Sequence, residues 1–333
     1  MPLSLHLLTD RYVFESSPTR HDLGALHVPF DELTQPGQTE ARLDAAVRRR
    51  EPAALIGASG SGKSSVIAHM LGPLAEGVAP LFVPLAAMPA ETIDTPVHLA
   101  DHLLSTITRL AGSAEARIEA DLAPGTTMIT RTRRVGGGLG WGWMRGEIAR
   151  QVTHQTKLED RATLVDKTDA LAQVLAVVSA EGLQPVLVFD DTDRWLRNGG
   201  TKLVESFFGE GVRWMLELPA ALVVAAHPHY FETTPRDRLL QYLDTRITIP
   251  QLPTTAAIDA ILRRRIKRYA GVSDPDLPEV FGPDASAAIL GVYREAGSLR
   301  RALQVCHTAL HEALSDGASQ LTARHIQAAA NAG

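Results

Sequence analysis

A glycine-rich stretch early in the chain carries the residues best suited to chemistry. Residues 57–64 read Gly-Ala-Ser-Gly-Ser-Gly-Lys-Ser and fit the pattern G-x-x-x-x-G-K-[ST]. Its glycines allow a turn tight enough for several N–H groups to face phosphates, its lysine can reach the β and γ oxygens, and its final serine can bind Mg²⁺. The stretch is predicted to hold ATP or GTP. The predicted nucleotide-binding residues are Gly57, Ser59, Gly60, Ser61, Gly62, Lys63, Ser64 and Ser65.

The residues on either side of this loop favour the functional interpretation over an ordinary glycine-rich turn. The apolar run 53–56 precedes the loop and predicts a strand. Apolar residues then recur at helical spacing until Gly72 and Pro73 stop the helix. A loop between a strand and a helix places the helix N-terminus, which attracts anions, beside the phosphates.

A second motif ends in two carboxylates. Residues 185–191 read Pro-Val-Leu-Val-Phe-Asp-Asp, as expected for a buried parallel strand. Asp190 is predicted to bind Mg²⁺ through water, at the same site as Ser64. Asp191 points elsewhere because side chains alternate along a strand, and it is predicted to orient or deprotonate the attacking water. Alone, the pair would indicate a solvated strand end, but the phosphate loop earlier in the chain favours the metal site.

The remaining pattern predicts an α/β core followed by a small all-α domain. Further strands are expected at 80–85, 221–226 and 247–249, with an apolar helical stripe before the acidic strand. This alternation predicts a three-layer P-loop NTPase core with a parallel sheet. From Thr254 onward the pattern is helical, which predicts a helical lid domain with segments at 256–269, 284–296, 299–314 and 322–330.

Two groups of basic residues in the predicted helical domain differ in their expected roles. Ser298 is a good N-cap, so Arg300 falls in the first turn of a helix, where a cation opposes the helix dipole. We therefore expect Arg300 or Arg301 to meet an anion. By contrast, the basic run 263–268 is predicted to be mostly a solvated or partner-facing stripe, because apolar neighbours already supply a buried face.

Composition restricts the class of protein. The chain has 333 residues, is 45% hydrophobic and 21% charged, and has a net charge of −5. A single cysteine, Cys306, excludes an internal disulfide and a cysteine-rich zinc site, and fits a reducing compartment. No apolar run reaches the length of a membrane span, and the first residues do not resemble a secretory leader. A cytoplasmic location without membrane partners is expected.

An insertion of about 89–157 is longer than a normal connection. Its second half suggests a β-hairpin with arginines on one arm and tryptophans on the other. Three interpretations stay open. The hairpin could bind nucleic-acid phosphates and bases, or it could contact a protein partner or a neighbouring subunit. In the third, the tryptophans cover the core and the arginines are solvated. The candidate contact residues are Arg131, Arg133, Arg134, Trp141 and Trp143.

The order of these motifs resembles the AAA+ ATPases, over roughly residues 28 to 330. Within them it looks most like the branch of origin-recognition proteins, transposition ATPases and STAND signalling NTPases. The resemblance implies that ATP and Mg²⁺ are the cofactors and that a second subunit completes the site. It assigns Lys63 and Ser64 to the Walker A motif, Asp190 and Asp191 to Walker B, and Arg300 to sensor 2.

Two further roles follow from the resemblance less directly. Arg246 falls where many relatives keep an arginine that reaches a neighbour's nucleotide; Arg236 and Arg238 compete for that role, and an intrachain partner such as Asp244 is the alternative. His227 stands where relatives place the polar sensor 1 residue, although a structural histidine at a strand end fits equally. Asp191 is shorter than the glutamate usual in the family, which favours slow hydrolysis.

We accordingly predict a P-loop ATPase with three parts. These are an N-terminal segment (1–27), an α/β domain (28–252) containing the insertion, and a helical lid (253–333). The chain is expected to assemble with ATP and to recruit or remodel a protein partner, with DNA as a candidate partner in replication, transposition or defence. The alternative is a slow ATP/ADP switch that acts through protein partners without DNA. A small-molecule kinase is disfavoured by the lid arginine and the Asp-Asp pair.

Overall fold

A computed structural model of the chain gives its architecture. The structure describes residues 3–34, 38–72, 78–82, 95–107, 163–180, 182–190, 192, 201–233 and 236–332. Asp191 and the whole of the predicted hairpin, 125–150, lie outside these ranges.

Five parallel strands form one sheet in the order β2-β3-β4-β1-β5. β1 lies between β4 and β5, with Leu55 opposite both Ala225 and Ile247. The strands of the sheet centre are buried along their whole length because their residues are apolar on both faces, as parallel sheets require. The strand bounds are β1 Ala53–Ile56, β2 Val78–Phe82, β3 Gln184–Phe189, β4 Ala221–Ala226 and β5 Thr245–Thr248.

β5 begins earlier than the sequence predicts. Its first residues, Thr245 and Arg246, are polar and half-buried, so they lack the apolar signal of a core strand. Thr245 nevertheless donates its backbone N–H to Pro52 O at 3.1 Å, and Ile249 N–H reaches Ile56 O at 2.8 Å. β5 is an edge strand, and an edge strand tolerates polar residues because it is covered on fewer sides.

Helices cover both faces of the sheet and form the C-terminal region. Within the described ranges, no helix is both long and apolar enough to cross a membrane. A π-helical turn, Phe207–Gly211, joins α8 to α9, and a 3₁₀ turn covers Leu277–Glu279. The helices are α1 Leu5–Asp10, α2 Arg20–Leu26, α3 Phe30–Leu33, α4 Thr39–Arg49, α5 Lys63–Met70, α6 95–107, α7 Leu164–Ala180, α8 201–206, α9 Val212–Met215, α10 Tyr230–Thr233, α11 Arg236–Leu239, α12 Thr255–Ala270, α13 Ala285–Ala296, α14 Leu299–Ser315 and α15 Ala323–Ala332.

Alternate residues of β1, β3 and β4 enter two different cores. Leu55 of β1 joins a core shared with the N-terminal segment and the lid helices. Its neighbour Ile56 joins the opposite core, with α6, α7 and the helical residues 201–215. A helix–sheet–helix arrangement of three layers follows, and the predicted α/β class with a parallel sheet and a helical C-terminal region is confirmed.

The lid helices begin and end within two residues of the bounds that the sequence indicated. Thr254 caps α12, accepting a hydrogen bond from Ala257 N–H, and Ser298 caps α14 in the same way through Arg301 N–H. Gly297 ends α13 with φ at +62°, a conformation that glycine adopts at little cost. Cys306 of α14 is fully buried, and burial raises the pKa of its thiol to about 12, so it packs as a small apolar residue.

Candidate phosphate and metal site

The glycine-rich loop runs from the end of β1 to the start of α5 and turns in the way that its glycines allow. Gly62 has φ at +110°, in the left-handed region that residues with a side chain rarely adopt. Gly60 also has a positive φ, at +76°, and a Cβ there would lie 2.2 Å from Ser298 Oγ of the lid. Only glycine at position 60 lets the loop and the lid approach this closely.

Two polar side chains of the loop fit a group rich in acceptor oxygens. Lys63 is only 6% exposed, and its Nζ donates to the carbonyl oxygens of Gly57 at 2.7 Å and Ala58 at 3.0 Å. Ser61 Oγ is buried, and within the described part of the chain it has no hydrogen-bond partner. A buried hydroxyl without a partner costs about 1–3 kcal/mol, so the loop is arranged for an acceptor such as a phosphate oxygen.

Ser64 and Asp190 meet across the gap between α5 and the end of β3. Ser64 Oγ donates to Asp190 Oδ1 at 2.9 Å, although 126 residues separate them in the chain. Asp190 is 7% exposed. A hydroxyl and a carboxylate are hard oxygen ligands of the kind that Mg²⁺ prefers, so this donor pair fits one side of a magnesium site.

The lid contacts the loop directly. Leu299 N–H donates to Gly60 O at 3.0 Å, which places the first turn of α14 against the glycine-rich loop. Arg300 stands one residue further on and lines the same cavity. Its side chain is exposed, and with the described residues its guanidinium makes no hydrogen bond or ion pair. The Arg300 guanidinium, whose charge opposes the dipole of α14, therefore lines the cavity together with the glycine-rich loop.

A cavity of about 500 Å³ opens between the loop, the lid and the residues that precede α4. This volume is typical of small-molecule sites, which combine an apolar wall with a few placed polar groups. Its polar lining includes the loop with Asp190 and Arg300. Its apolar lining includes Leu26, Phe30, Leu252, Ile261, Leu299 and Leu303.

A histidine–carboxylate pair that sequence reasoning missed supports the start of α5. His27 Nε2 lies 2.8 Å from Glu40 Oε1, and its Nδ1 lies 3.0 Å from Ser65 Oγ. Burial raises the pKa of Glu40, but hydrogen bonds from His27 and from Phe30 N–H outweigh burial and lower it overall. Ser65 also donates to Leu23 O at 3.3 Å, so its hydroxyl faces the N-terminal segment.

Three arginines of α12 bind the N-terminal segment, and we call them the arginine clasp: Arg264, Arg265 and Arg268. Arg264 Nε donates to Ala25 O at 2.9 Å, and Arg268 pairs with Asp22 at 2.7 Å. Arg265 is 5% exposed and donates to Val13 O at 2.7 Å and to Glu15 O. The prediction of a mainly solvated or partner-facing stripe is wrong for Arg265, because the N-terminal segment folds back over this face of α12.

Replacing Arg265 by methionine is expected to lower the free energy of unfolding by about 2–3 kcal/mol. The methionine keeps most of the apolar stem but leaves two carbonyl oxygens without their charged donor. Urea unfolding of the full chain measures the change. Arg263→Met is the matched control, because Arg263 lies in the same helix and is exposed. Equal stability of the two variants would contradict a structural role for the clasp.

The other predicted site residues fall in three groups. His227 follows β4, and its Nδ1 accepts from His229 N–H at 3.1 Å. Arg246 donates to Asp237 at 2.8 Å and to the carbonyl oxygens of Leu240 and Leu243, so its intrachain carboxylate partner is Asp237 rather than Asp244. The remaining candidates lie outside the described residues: Asp191, Arg131, Arg133, Arg134, Trp141 and Trp143.

A family model described as "AAA ATPase domain" matches residues 37–224. No curated protein matches.

Several solved structures resemble the chain at low sequence identity. The Aeropyrum pernix ORC2 protein (ADPNP-ADP complexes) superposes with a TM-score of 0.53 at 15% identity, covering 96% of this chain and 71% of that one. The A. pernix ORC1 protein in complex with DNA gives 0.45 at 17% identity, covering 92% and 68%. CDC6P from Pyrobaculum aerophilum gives 0.47 at 16% identity, covering 93% and 67%. The likeness to ORC2 is one of fold.

Proposed function

The chain belongs to the AAA ATPase domain family, and from this premise we propose that it binds ATP with Mg²⁺ between its sheet and its lid and hydrolyses it. The observation that carries the proposal is the contact of Ser64 Oγ with Asp190 Oδ1, 2.9 Å apart, beside the buried Lys63. Ser64, Asp190 and Lys63 line the same cavity, where the hydroxyl and the carboxylate can bind a metal ion and the ammonium group can bind phosphate oxygens. The structural neighbour solved as ADPNP-ADP complexes, the Aeropyrum pernix ORC2 protein, supports a nucleotide as the occupant.

Each residue of the site has a proposed task in hydrolysis. Lys63 and Ser61 hold the β and γ phosphate oxygens, and Ser64 with Asp190 holds Mg²⁺. Mg²⁺ supplies charge neutralisation at the phosphates. Arg300 ties the angle of the lid to the γ-phosphate, since it stands next to the residue whose N–H contacts Gly60. Phosphoryl transfer needs little beyond such positioning and electrostatic stabilisation.

Two roles in the proposal come from the sequence. Asp191 would orient the attacking water, and its short side chain favours slow turnover. A trans-acting arginine would complete the site in an assembly, but the bonds of Arg246 to Asp237 and to two carbonyl oxygens favour an intrachain role for it. Arg238, which is exposed, is then the better candidate. A cytoplasmic location stays a prediction.

The biological role is proposed in two versions. In the first, the chain assembles with ATP and recruits or remodels a protein partner on DNA, with Arg131, Arg133 and Arg134 as candidate DNA contacts. In the second, it is a slow ATP/ADP switch without DNA. The contact between Leu299 N–H and Gly60 O favours a switch mechanism in either version, because a change at the loop would reach the lid directly.

Mass measurement with ATP, with ADP and without nucleotide tests assembly, and repeating it with duplex DNA separates the two versions. We expect a larger species with ATP, and no such species with ADP or without nucleotide. In the DNA version the complex also binds DNA, and the triple variant Arg131→Ala/Arg133→Ala/Arg134→Ala reduces binding and its dependence on salt. A chain that stays monomeric with ATP would contradict the assembly proposal. Unchanged DNA binding by the triple variant would contradict a role of these three arginines in DNA contact.

A further inference from the structure

The carbonyl oxygen of Ala225 lies where β3 leaves the sheet. Ala226 O accepts from Gly57 N–H at 3.1 Å on the β1 side of β4. Successive carbonyl groups of a strand point to opposite sides, so Ala225 O faces β3. β3 pairs with β4 as far as Phe189 opposite Val224 and ends there. Ala225 O thus lies one residue beyond the last paired position of β4.

The hydroxyl of Thr192 contacts this carbonyl oxygen. Thr192 stands two residues after Asp190, is fully buried, and donates its Oγ1–H to Ala225 O. Tyr230, only 2% exposed, lies with its OH 2.9 Å from Thr192 Oγ1. The carbonyl oxygen can only accept and Thr192 has a single hydroxyl proton, so Tyr230 must be the donor to Thr192. The direction of both bonds is fixed.

Tyr230 in turn belongs to the turn that carries His227. Its backbone N–H donates to His227 O at 3.0 Å, and its ring packs against the His227 ring with centroids 6.2 Å apart. The Tyr230 ring also packs against Phe208 of the π-helical turn, with ring centroids 5.8 Å apart. A continuous buried path thus joins the residues after Asp190 to the turn after β4.

We propose that Thr192 and Tyr230 are positioning residues for ATP hydrolysis, which fix the spacing between the acidic end of β3 and the turn that carries His227. The inference rests on the proposed ATPase function. Neither hydroxyl needs to touch nucleotide: Thr192 holds the backbone immediately after the acidic pair to β4, and Tyr230 holds the His227 turn to Thr192. Displacements of about 1 Å in such a site can cost about 100-fold in rate.

The test compares turnover with nucleotide affinity in variants that remove single hydroxyl groups. Thr192→Val and Tyr230→Phe keep the shape of the side chain, and each is expected to lower the rate of phosphate release about tenfold while the Kd for ATP with Mg²⁺ stays within about twofold. Thr192→Ser keeps the hydroxyl and should restore most of the rate. The double variant should be no slower than Thr192→Val, because both act through one path.

A matched control separates positioning from general stability. Thr168 Oγ1 accepts a hydrogen bond from Trp214 Nε1 at 2.9 Å on a different part of the same core. Thr168→Val should lower stability without slowing phosphate release. Wild-type rates in both single variants, or an equal loss of rate in Thr168→Val, would overturn the inference while the ATPase proposal stands. A wild-type chain that binds ATP with Mg²⁺ but releases no phosphate would overturn both.

Discussion

Replacing Lys63 by alanine is expected to lower phosphate release at least about 100-fold and to weaken ATP binding. The side chain is buried, its Nζ donates to the carbonyl oxygens of Gly57 and Ala58, and the residue lines the cavity. A positive charge preorganised in a low-dielectric site stabilises phosphate charge far more than one in water. Steady-state phosphate release and equilibrium ATP binding measure the two effects.

The control for this variant is Lys202→Ala. Lys202 is exposed, so its replacement removes the same charge at the surface and should leave both measurements unchanged. Phosphate release by Lys63→Ala at the wild-type rate would contradict the assigned role of the loop.

Replacing Asp190 by asparagine is expected to lower Mg²⁺-dependent phosphate release about 100-fold. Asparagine has nearly the same shape, and its amide oxygen can still accept the hydrogen bond from Ser64 Oγ. What it lacks is the negative charge that attracts a divalent cation. The Mg²⁺ concentration for half-maximal rate should therefore rise, and ATP binding without metal should be the same as in the wild type.

Asp44→Asn controls for the loss of a carboxylate elsewhere. Asp44 pairs with Arg48 on the surface of α4 at 2.7 Å, where a single ion pair contributes little to stability. Its replacement should leave the Mg²⁺ dependence unchanged. If Asp190→Asn showed the wild-type Mg²⁺ dependence, Asp190 would not be a metal ligand.

The phosphate loop, the acidic strand and the lid caps could be predicted because each depends on residues that lie next to one another in the sequence. Gly62, Lys63 and Ser64 act through local backbone geometry that glycine and a helix N-terminus dictate. Ser298 caps α14 through a neighbour three residues away. The pairing of Ser64 with Asp190 is long-range, yet it follows once both motifs are assigned to carboxyl ends of strands in one parallel sheet.

The contacts of the N-terminal segment could not be predicted in this way. Arg265 reaches Val13 and Glu15 across about 250 positions of sequence, and its partners are backbone carbonyl oxygens, which carry no residue-specific signal. His27 looks like any histidine until Glu40 and Ser65 are brought beside it. Thr192 likewise gives no signal in the sequence, because its partner is the backbone carbonyl oxygen of Ala225, far along the chain.

Calorimetric titration of the full chain tests whether one ATP with Mg²⁺ is held between the phosphate loop and the lid. We expect saturable binding of one nucleotide per chain, weakened when EDTA removes Mg²⁺ and also weakened in Lys63→Ala. Heats that never saturate with Mg²⁺ present, or binding that is the same in Lys63→Ala as in the wild type, would contradict it.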